Sequence, residues 1–320
     1  MAARITLTLA HSPDPDDVFM WWPITGKIRP DGSPLPGDEG RPVIDGGRFE
    51  FRPLPADIHI LNRRAIEVGD LEITALSARA YAEVAPRYII TRCGASFGDG
   101  FGPKVVSRSG DDRIGCEACL RDPSLRIAIP GRQTTAFMLL GLILGEAVNQ
   151  SPERFLEMPF DRVIPAVAGG LADAGLVIHE GQLTYSDAGL RLVCDVGAWW
   201  KSTTGLPTPL GVNAIRRDLD ELHGPGTVPR VARLLRSSVA HAIDRRGEST
   251  AYALPFALAN TARGGDGGMP TLERVDRYCR MYVGESALDM GDEGSGAIDS
   301  LLRAGAEAGL CPRVAPIVAI

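Results

Sequence analysis

A histidine and a glutamate at the end of one apolar run, and two threonines ahead of another, are the residues of this chain best placed to do chemistry. The first run is Ala174-Gly175-Leu176-Val177-Ile178-His179-Glu180-Gly181, a buried-type strand that delivers polar groups where a helix can begin. Imidazole has an ordinary pKa of about 6.5, so His179 can take or return a proton near working pH as a general base. The other reading is a histidine packed at a strand end. Glu180 can orient a catalytic partner or cap the helix that follows. The second run is Ile127-Ala128-Ile129-Pro130-Gly131-Arg132-Gln133-Thr134-Thr135-Ala136, a strand leading into an apolar helix. The first N–H groups of a helix lack intrahelical acceptors, so Thr134, Thr135 and Ala136 read as a cradle for a carboxylate. Ordinary threonine capping is the alternative. Ser77, at the end of the strand-like Leu71–Leu76, offers a hydroxyl from another part of the chain.

The elements that must position these groups alternate between strand and helix. Strands are expected at Ile5–Leu9, Phe49–Leu54, Leu71–Leu76, Arg87–Thr91 and Lys104–Ser107. A middle stretch has its own alternation, with strands at Leu125–Ile129, Phe155–Met158, Ala172–Ile178 and Leu192–Val196. Helices there fall at Thr134–Ala147 and Asp161–Ala168, the latter shortened or kinked by Pro165. After Leu206-Pro207-Thr208-Pro209 the chain returns to a strand, then to helices near Val231–Ala242 and Leu272–Val283 and one after Gly291. Lys27–Gly47, dense in Pro, Gly and Asp, reads as a long loop or exposed hairpin, and Gly264–Gly268 as a low-complexity loop. The layout predicts a two-lobed α/β fold. Lobe 1 is residues 1–105 and 210–320, and lobe 2 is the inserted 106–209. Two crossings act as hinges, near Val105–Ser107 and Pro207–Val212, and ligand is held between the lobes.

Composition excludes several function classes. A formal charge of −6 gives no basic footprint, so no nucleic-acid partner is expected. No apolar run has the length of a membrane helix, and the N-terminus has strand alternation without a signal-peptide pattern. No membrane association and a cytoplasmic location are therefore expected. The six cysteines are scattered, and Cys116-Glu117-Ala118-Cys119 has no second pair to complete a zinc site. The glycine cluster Gly94–Gly102 precedes a strand, where a dinucleotide fingerprint requires a helix. No cofactor and no metal are expected. An acidic cluster at Asp14, Asp16 and Asp17 suits a helix start better than a metal.

Taken in order, several segments resemble the 1,4-dihydroxy-6-naphthoate synthase family of the futalosine route of menaquinone biosynthesis. They are Ser12-Pro13-Asp14-Pro15-Asp16-Asp17, Ile73–Tyr81, Ile129–Ala136, Met158–Asp161, Ala172–Gly181, Gly205–Gly211 and Tyr282–Gly291. The resemblance implies a periplasmic-binding-protein-like (type II) fold turned to catalysis. It implies a lyase that takes a small carboxylate, cyclic dehypoxanthine futalosine, to 1,4-dihydroxy-6-naphthoate and releases dihydroxyacetone. It implies His179 as the base, with Ser12, Ser77, Thr134, Thr135, Ala136 and Glu180 around the substrate. The family pattern Ser-Pro-Cys-Pro-Asn-Asp departs here, since Asp14 and Asp16 stand at the Cys and Asn positions. If that turn touches substrate, the two acids are expected to weaken an anionic ligand or alter specificity. Two other readings share the fold, a solute-binding protein without catalysis and the sister chorismate dehydratase. The first should carry an export signal, and the His-Glu-Gly segment argues against the second.

Overall fold

The computed structural model describes residues 4–264 and 269–320. The loop expected around Gly265–Gly268 lies outside the described residues. Two sheets organise the chain. The first contains β1 (Ile5–His11), β2 (Phe49–Pro55), β3 (Ile73–Ser77), β4 (Tyr88–Ile90) and β5 (Ser96–Gly98). The second contains β6 (Lys104–Arg108), β7 (Ile127–Ile129), β8 (Phe155–Glu157), β9 (Ala174–Val177) and β10 (Leu190–Asp195). The chain then returns to the first sheet as β11 (Thr208–Arg216).

The first sheet runs β2-β1-β3-β11-β4, with β5 also paired to β11. β1 is parallel to β2 and β3, whereas β11 lies antiparallel to β3, β4 and β5. The second runs β10-β6-β9-β7-β8, with β7 parallel to β8 and β9 and β6 antiparallel to β9 and β10. Every residue of β3, β7 and β9 is buried, as continuous apolar strands covered on both faces must be. These are the strands whose ends carry Ser77, the threonine turn and His179. The fold is two-lobed α/β.

One apolar cluster passes from sheet to sheet. It joins Leu76, Ile90 and Val212 of the first to Val105, Ile127 and Leu176 of the second. Helix Gly291–Glu307 fills the space between, bringing Ile298 and Leu301 against the same cluster as Leu139 and Leu140 of helix Thr135–Leu144. A second cluster, with Leu7, Phe19, Met20 and Trp21, covers the outer face of the first sheet. Trp21, Trp22 and Trp200 are buried in the core. Among the described residues, no helix is long and apolar enough to cross a membrane.

Two elements differ from the sequence reading, and the long loop read over Lys27–Gly47 does not. The helix expected over Thr134–Ala147 ends at Leu144, because Gly145 turns the chain with φ of 59° before a short helix Ala147–Gln150. Helix Arg246–Gly264 has no counterpart in that reading, for Gly247 and Pro255 lie within it. Packing overrides the poor propensity there: Ala253, Phe256 and Ala257 are buried, and Trp22 Nε1 donates to Ser249 Oγ at 2.9 Å. Lys27–Gly47 is an irregular loop with one bridge, Ile28 to Pro34, and a single 3-10 turn at Gly37–Gly40.

Candidate active site

Between the lobes lies a cleft of about 700 Å³, counting its open mouth. Ser12, Asp14, Asp16, Ser77, Asn213 and Tyr282 line it from the first lobe, and Thr134, Thr135, Ala136, His179 and Gln182 from the second. Five of the six residues expected to touch substrate thus share one cavity with His179. Glu180 does not. It lines a smaller cavity with Pro15, Leu183, Thr184 and Tyr278, because the chain reverses at His179 and points the next side chain elsewhere. Arg132 also turns away, donating to the carbonyls of Pro152 and Phe155.

The threonine end is built by a helix start. Thr134 is the N-cap of helix Thr135–Leu144, its Oγ1 accepting from Phe137 N at 3.2 Å and donating to Gly131 O at 2.7 Å. Thr134 therefore caps its helix and also lines the cleft. The N–H groups of Thr135 and Ala136 have no intrahelical acceptor. Thr135 Oγ1 donates to Leu210 O at 2.8 Å and accepts from Arg79 N at 3.1 Å, so this hydroxyl ties the second lobe to the first. Ser77 comes from β3 and is held by Asn62, which donates to Ser77 Oγ and accepts from Ser77 N, each at 2.9 Å. Gly131, with φ of 138°, permits the close approach, since a Cβ there would stand 2.6 Å from His59 Nδ1. His59 reaches across to Glu157 at 3.3 Å.

The histidine end is built from charge. His179 Nδ1 lies 2.8 Å from Asp14 Oδ2, and Ser12 Oγ donates to the same oxygen. Phe160 meets the imidazole edge-on, with ring centroids 4.7 Å apart. His179 Nε2 and Asp14 Oδ1 are both buried and have no hydrogen-bond partner among the described residues. Burial opposes a charge on His179, but the Asp14 carboxylate, with Glu180 and Asp16 behind it, lifts its pKa to about 10. At neutral pH the resting residue is an imidazolium, not the neutral imidazole that its ordinary pKa suggests. The neighbouring acids move the same way. Burial, then the Asp14 charge, raises Asp16 to about 6, and burial with Asp14 raises Glu180 to about 7. Asp17, buried beside Asp16, is pushed well above the carboxylate range. His11, by contrast, is held near 4 by burial and its Nδ1 sits 2.8 Å from Ser12 O.

Sequence reasoning missed Asp14 as a partner for His179, along with Asn213, Gln182, Tyr278 and Tyr282. The one visible signal was the departure at Asp14, whose charge was set against an anionic ligand. The ion pair answers it, since His179 supplies the countercharge.

A family model described as menaquinone biosynthesis matches residues 7–307. A 1,4-dihydroxy-6-naphthoate synthase of Thermus thermophilus is 36% identical over 296 residues, covering 92% of each chain. The synthase of the same name from Streptomyces coelicolor is 33% identical over 312 residues, covering 97% of this chain and 96% of its own. A solved structure of a protein from Archaeoglobus fulgidus is 37% identical, with a TM-score of 0.74 over 95% of this chain and 98% of that one. The alkanesulfonate-binding protein of Xanthomonas axonopodis pv. citri aligns with a TM-score of 0.64 over 99% of this chain and 98% of that one, and at 14% identity shares the fold. With a family match over most of its length and a cleft between two lobes of the periplasmic-binding-protein-like fold, the chain belongs to the menaquinone biosynthesis family and is an enzyme.

Proposed function

We propose that this enzyme converts cyclic dehypoxanthine futalosine to 1,4-dihydroxy-6-naphthoate and releases dihydroxyacetone, with His179 as the base. The observation that carries the reading is His179 in the interlobe cleft, paired through Nδ1 with Asp14 and left with Nε2 unengaged. The substrate hydroxyl gives its proton to Nε2. Its O–H electrons become the new carbonyl, the adjacent carbon–carbon bond breaks, and that bond's electrons pass to the ring side as an enolate. The imidazolium, its charge balanced by Asp14 at Nδ1, keeps the transferred proton on Nε2 and returns it as the ring becomes aromatic. A raised pKa means that the reactive, neutral form of His179 is the minor one at neutral pH, and a strong base when formed. The carboxylate of the substrate is assigned to the helix start at Thr135 and Ala136, with Ser77, Thr134 and Ser12 completing the enclosure.

We assign the lobes as residues 1–105 with 210–320, and 106–209. Sheet membership supports this with crossings a few residues earlier, since β6 begins at Lys104 and β11 at Thr208. Incubating the purified protein with cyclic dehypoxanthine futalosine tests the reaction. Equal yields of dihydroxyacetone and the naphthoate are expected, and absence of both refutes the assignment. An enzyme of biosynthesis of this kind is expected to act in the cytoplasm.

A further inference from the structure

We propose that Asp14, reaching across from the opposite lobe, is the positioning residue of His179. It takes the Nδ1–H and so commits Nε2 to the substrate. This rests on His179 being the base, and it adds what makes that base competent.

Four observations carry it. First, the contact is short and shielded: Nδ1 to Oδ2 is 2.8 Å, with the Asp14 side chain 2% exposed and that of His179 18%. Second, Asp14 occupies the N-cap position of helix Pro15–Thr25 yet makes no side-chain cap bond. An aspartate there ordinarily accepts from the N–H groups of the first turn, which is worth about 1 kcal/mol. Here Oδ2 accepts from Ser12 Oγ and faces His179 instead. Third, His179 is the only non-glycine residue with positive φ among the described residues, at 55°. Such a conformation is costly outside glycine and persists only where its surroundings hold it. It is what turns the ring back toward Asp14 at the end of β9. Fourth, the atoms left over are complementary. Asp14 Oδ1 and His179 Nε2 are the two buried, partnerless polar atoms of the pair, and both residues line the cleft.

Orienting an imidazole by a carboxylate fixes its tautomer and stabilises the imidazolium formed during turnover. With Nδ1–H on Asp14, the lone pair of the neutral ring must lie on Nε2. Among the described residues, no other carboxylate is bonded to the ring. Asp16 faces it from the Asp14 helix, Asp57 from the turn before helix Ile58–Glu67, and Glu180 from its own segment, while Tyr278 of helix Leu272–Tyr282 lies beside these acids. These groups act on His179 through space. Only Asp14 sets its geometry.

The test is Asp14→Asn in the full chain, which keeps the side-chain shape and removes the charge. Two readouts are needed: kinetics with cyclic dehypoxanthine futalosine, and nuclear magnetic resonance titration of the His179 imidazole nitrogens without substrate. The variant is expected to lose about 10²–10⁴-fold in kcat with KM little changed, the range for a lost general base. Its His179 titration should move down by more than one pH unit, and its neutral form should no longer be confined to the Nδ1–H tautomer. In the double variant with His179→Ala, removing Asp14 should cost almost nothing further, as coupled residues behave. If Asp14→Asn does not fold, Asp14→Ser carries the same readouts. An unmoved titration and tautomer overturn the proposal whatever the activity, and so does a variant with wild-type kcat. A moved titration in a protein that leaves this substrate untouched upholds the pair and overturns only the reaction assigned to it.

Discussion

At the Thr134–Ala136 end of the cleft the side chains are neutral and their hydroxyls already engaged, whereas at the Asp14–His179 end several ionisable groups crowd together with two polar atoms left over. The first end is pre-organised by backbone, because a helix start presents its donors whatever the neighbouring side chains are. The second is assembled from two lobes, and each charge there is tolerated only because another stands beside it. A cleft made this way separates holding from reacting. Substitutions at the two ends should therefore fail in different kinetic terms.

The largest expected effect is at the charged end. His179→Ala should lower kcat by about 10²–10⁴-fold, roughly 3–5 kcal/mol of barrier, and leave KM nearly unchanged. Steady-state kinetics on the purified variant check this. Near-wild-type kcat would leave His179 as a packing or binding residue and dissolve the contrast between the two ends.

Acidity gives the next effect. With the imidazole held near 10 by Asp14 against burial, the neutral base becomes more abundant as pH rises. From pH 7 to 9 kcat/KM should climb about tenfold per unit, the slope of a single essential base. Asp16 near 6 has largely ionised by the start of that range, and Glu180 near 7 completes its ionisation within the first unit or so, so neither sustains this slope up to pH 9. A flat or falling profile would make the imidazolium, not the imidazole, the working form. Stability should run the opposite way. Asp16, Glu180 and His179 all have folded pKa values above their ordinary ones, so each stabilises when protonated. That stability is lost as pH rises from about 3.8 to 6, 4.5 to 7 and 6.5 to 10 in turn. A thermal melting series should show a lower Tm at pH 9 than at pH 6, and a smaller difference in Asp14→Asn.

How much of each end was legible follows from the same contrast. The threonine end is local: strand Ile127–Ile129, the turn at Gly131 and the cap at Thr134 lie within a few residues, so pattern and capping rules reach them. The position of His179 at a strand end was legible for the same reason. Its partner was not, because Asp14 lies on another lobe and no periodicity relates the two. That Glu180 faces a second, smaller cavity was not legible, because spacing does not reveal the positive φ of the residue before it. Helix Arg246–Gly264 was invisible for a related reason. Its support is tertiary, from helix Pro15–Thr25, while its own glycine and proline argue against it.

At the neutral end, Thr135→Val sharpens the comparison. The variant keeps the shape but removes one of the two donors to Leu210 O, which Ala78 N still reaches, and leaves Arg79 N without its acceptor. Leaving such a group unpaired costs about 1–3 kcal/mol. A lowered denaturation midpoint and a raised KM are expected, with kcat close to wild type because the hydroxyl touches no reacting atom. A large fall in kcat would mean that the threonine end takes part in the chemistry.

The smallest effect tests whether the lobes are tied by weak contacts as well as by the ion pair. Tyr282 OH donates to Gln182 Oε1 at 3.1 Å, a buried bond from the end of helix Leu272–Tyr282 in the first lobe to the turn after His179. Phe101 supports the same ring edge-on at 5.5 Å. Tyr282→Phe keeps that ring contact and removes one hydrogen bond, so it should destabilise the closed cleft by about 1 kcal/mol. In kinetics this should appear as an increase of a few-fold in KM, because substrate binding must then supply more of the closure, with kcat within about twofold of wild type. Since Tyr282 also lines the cleft, a parallel measurement on Gln182→Leu separates the two explanations. Matching KM increases from both single variants, with no further increase in the double, identify the bond between lobes as the cause. Additive increases would mean that each side chain contacts the substrate on its own account, and the lobes would then be held by Asp14 and His179 with less help than this bond suggests.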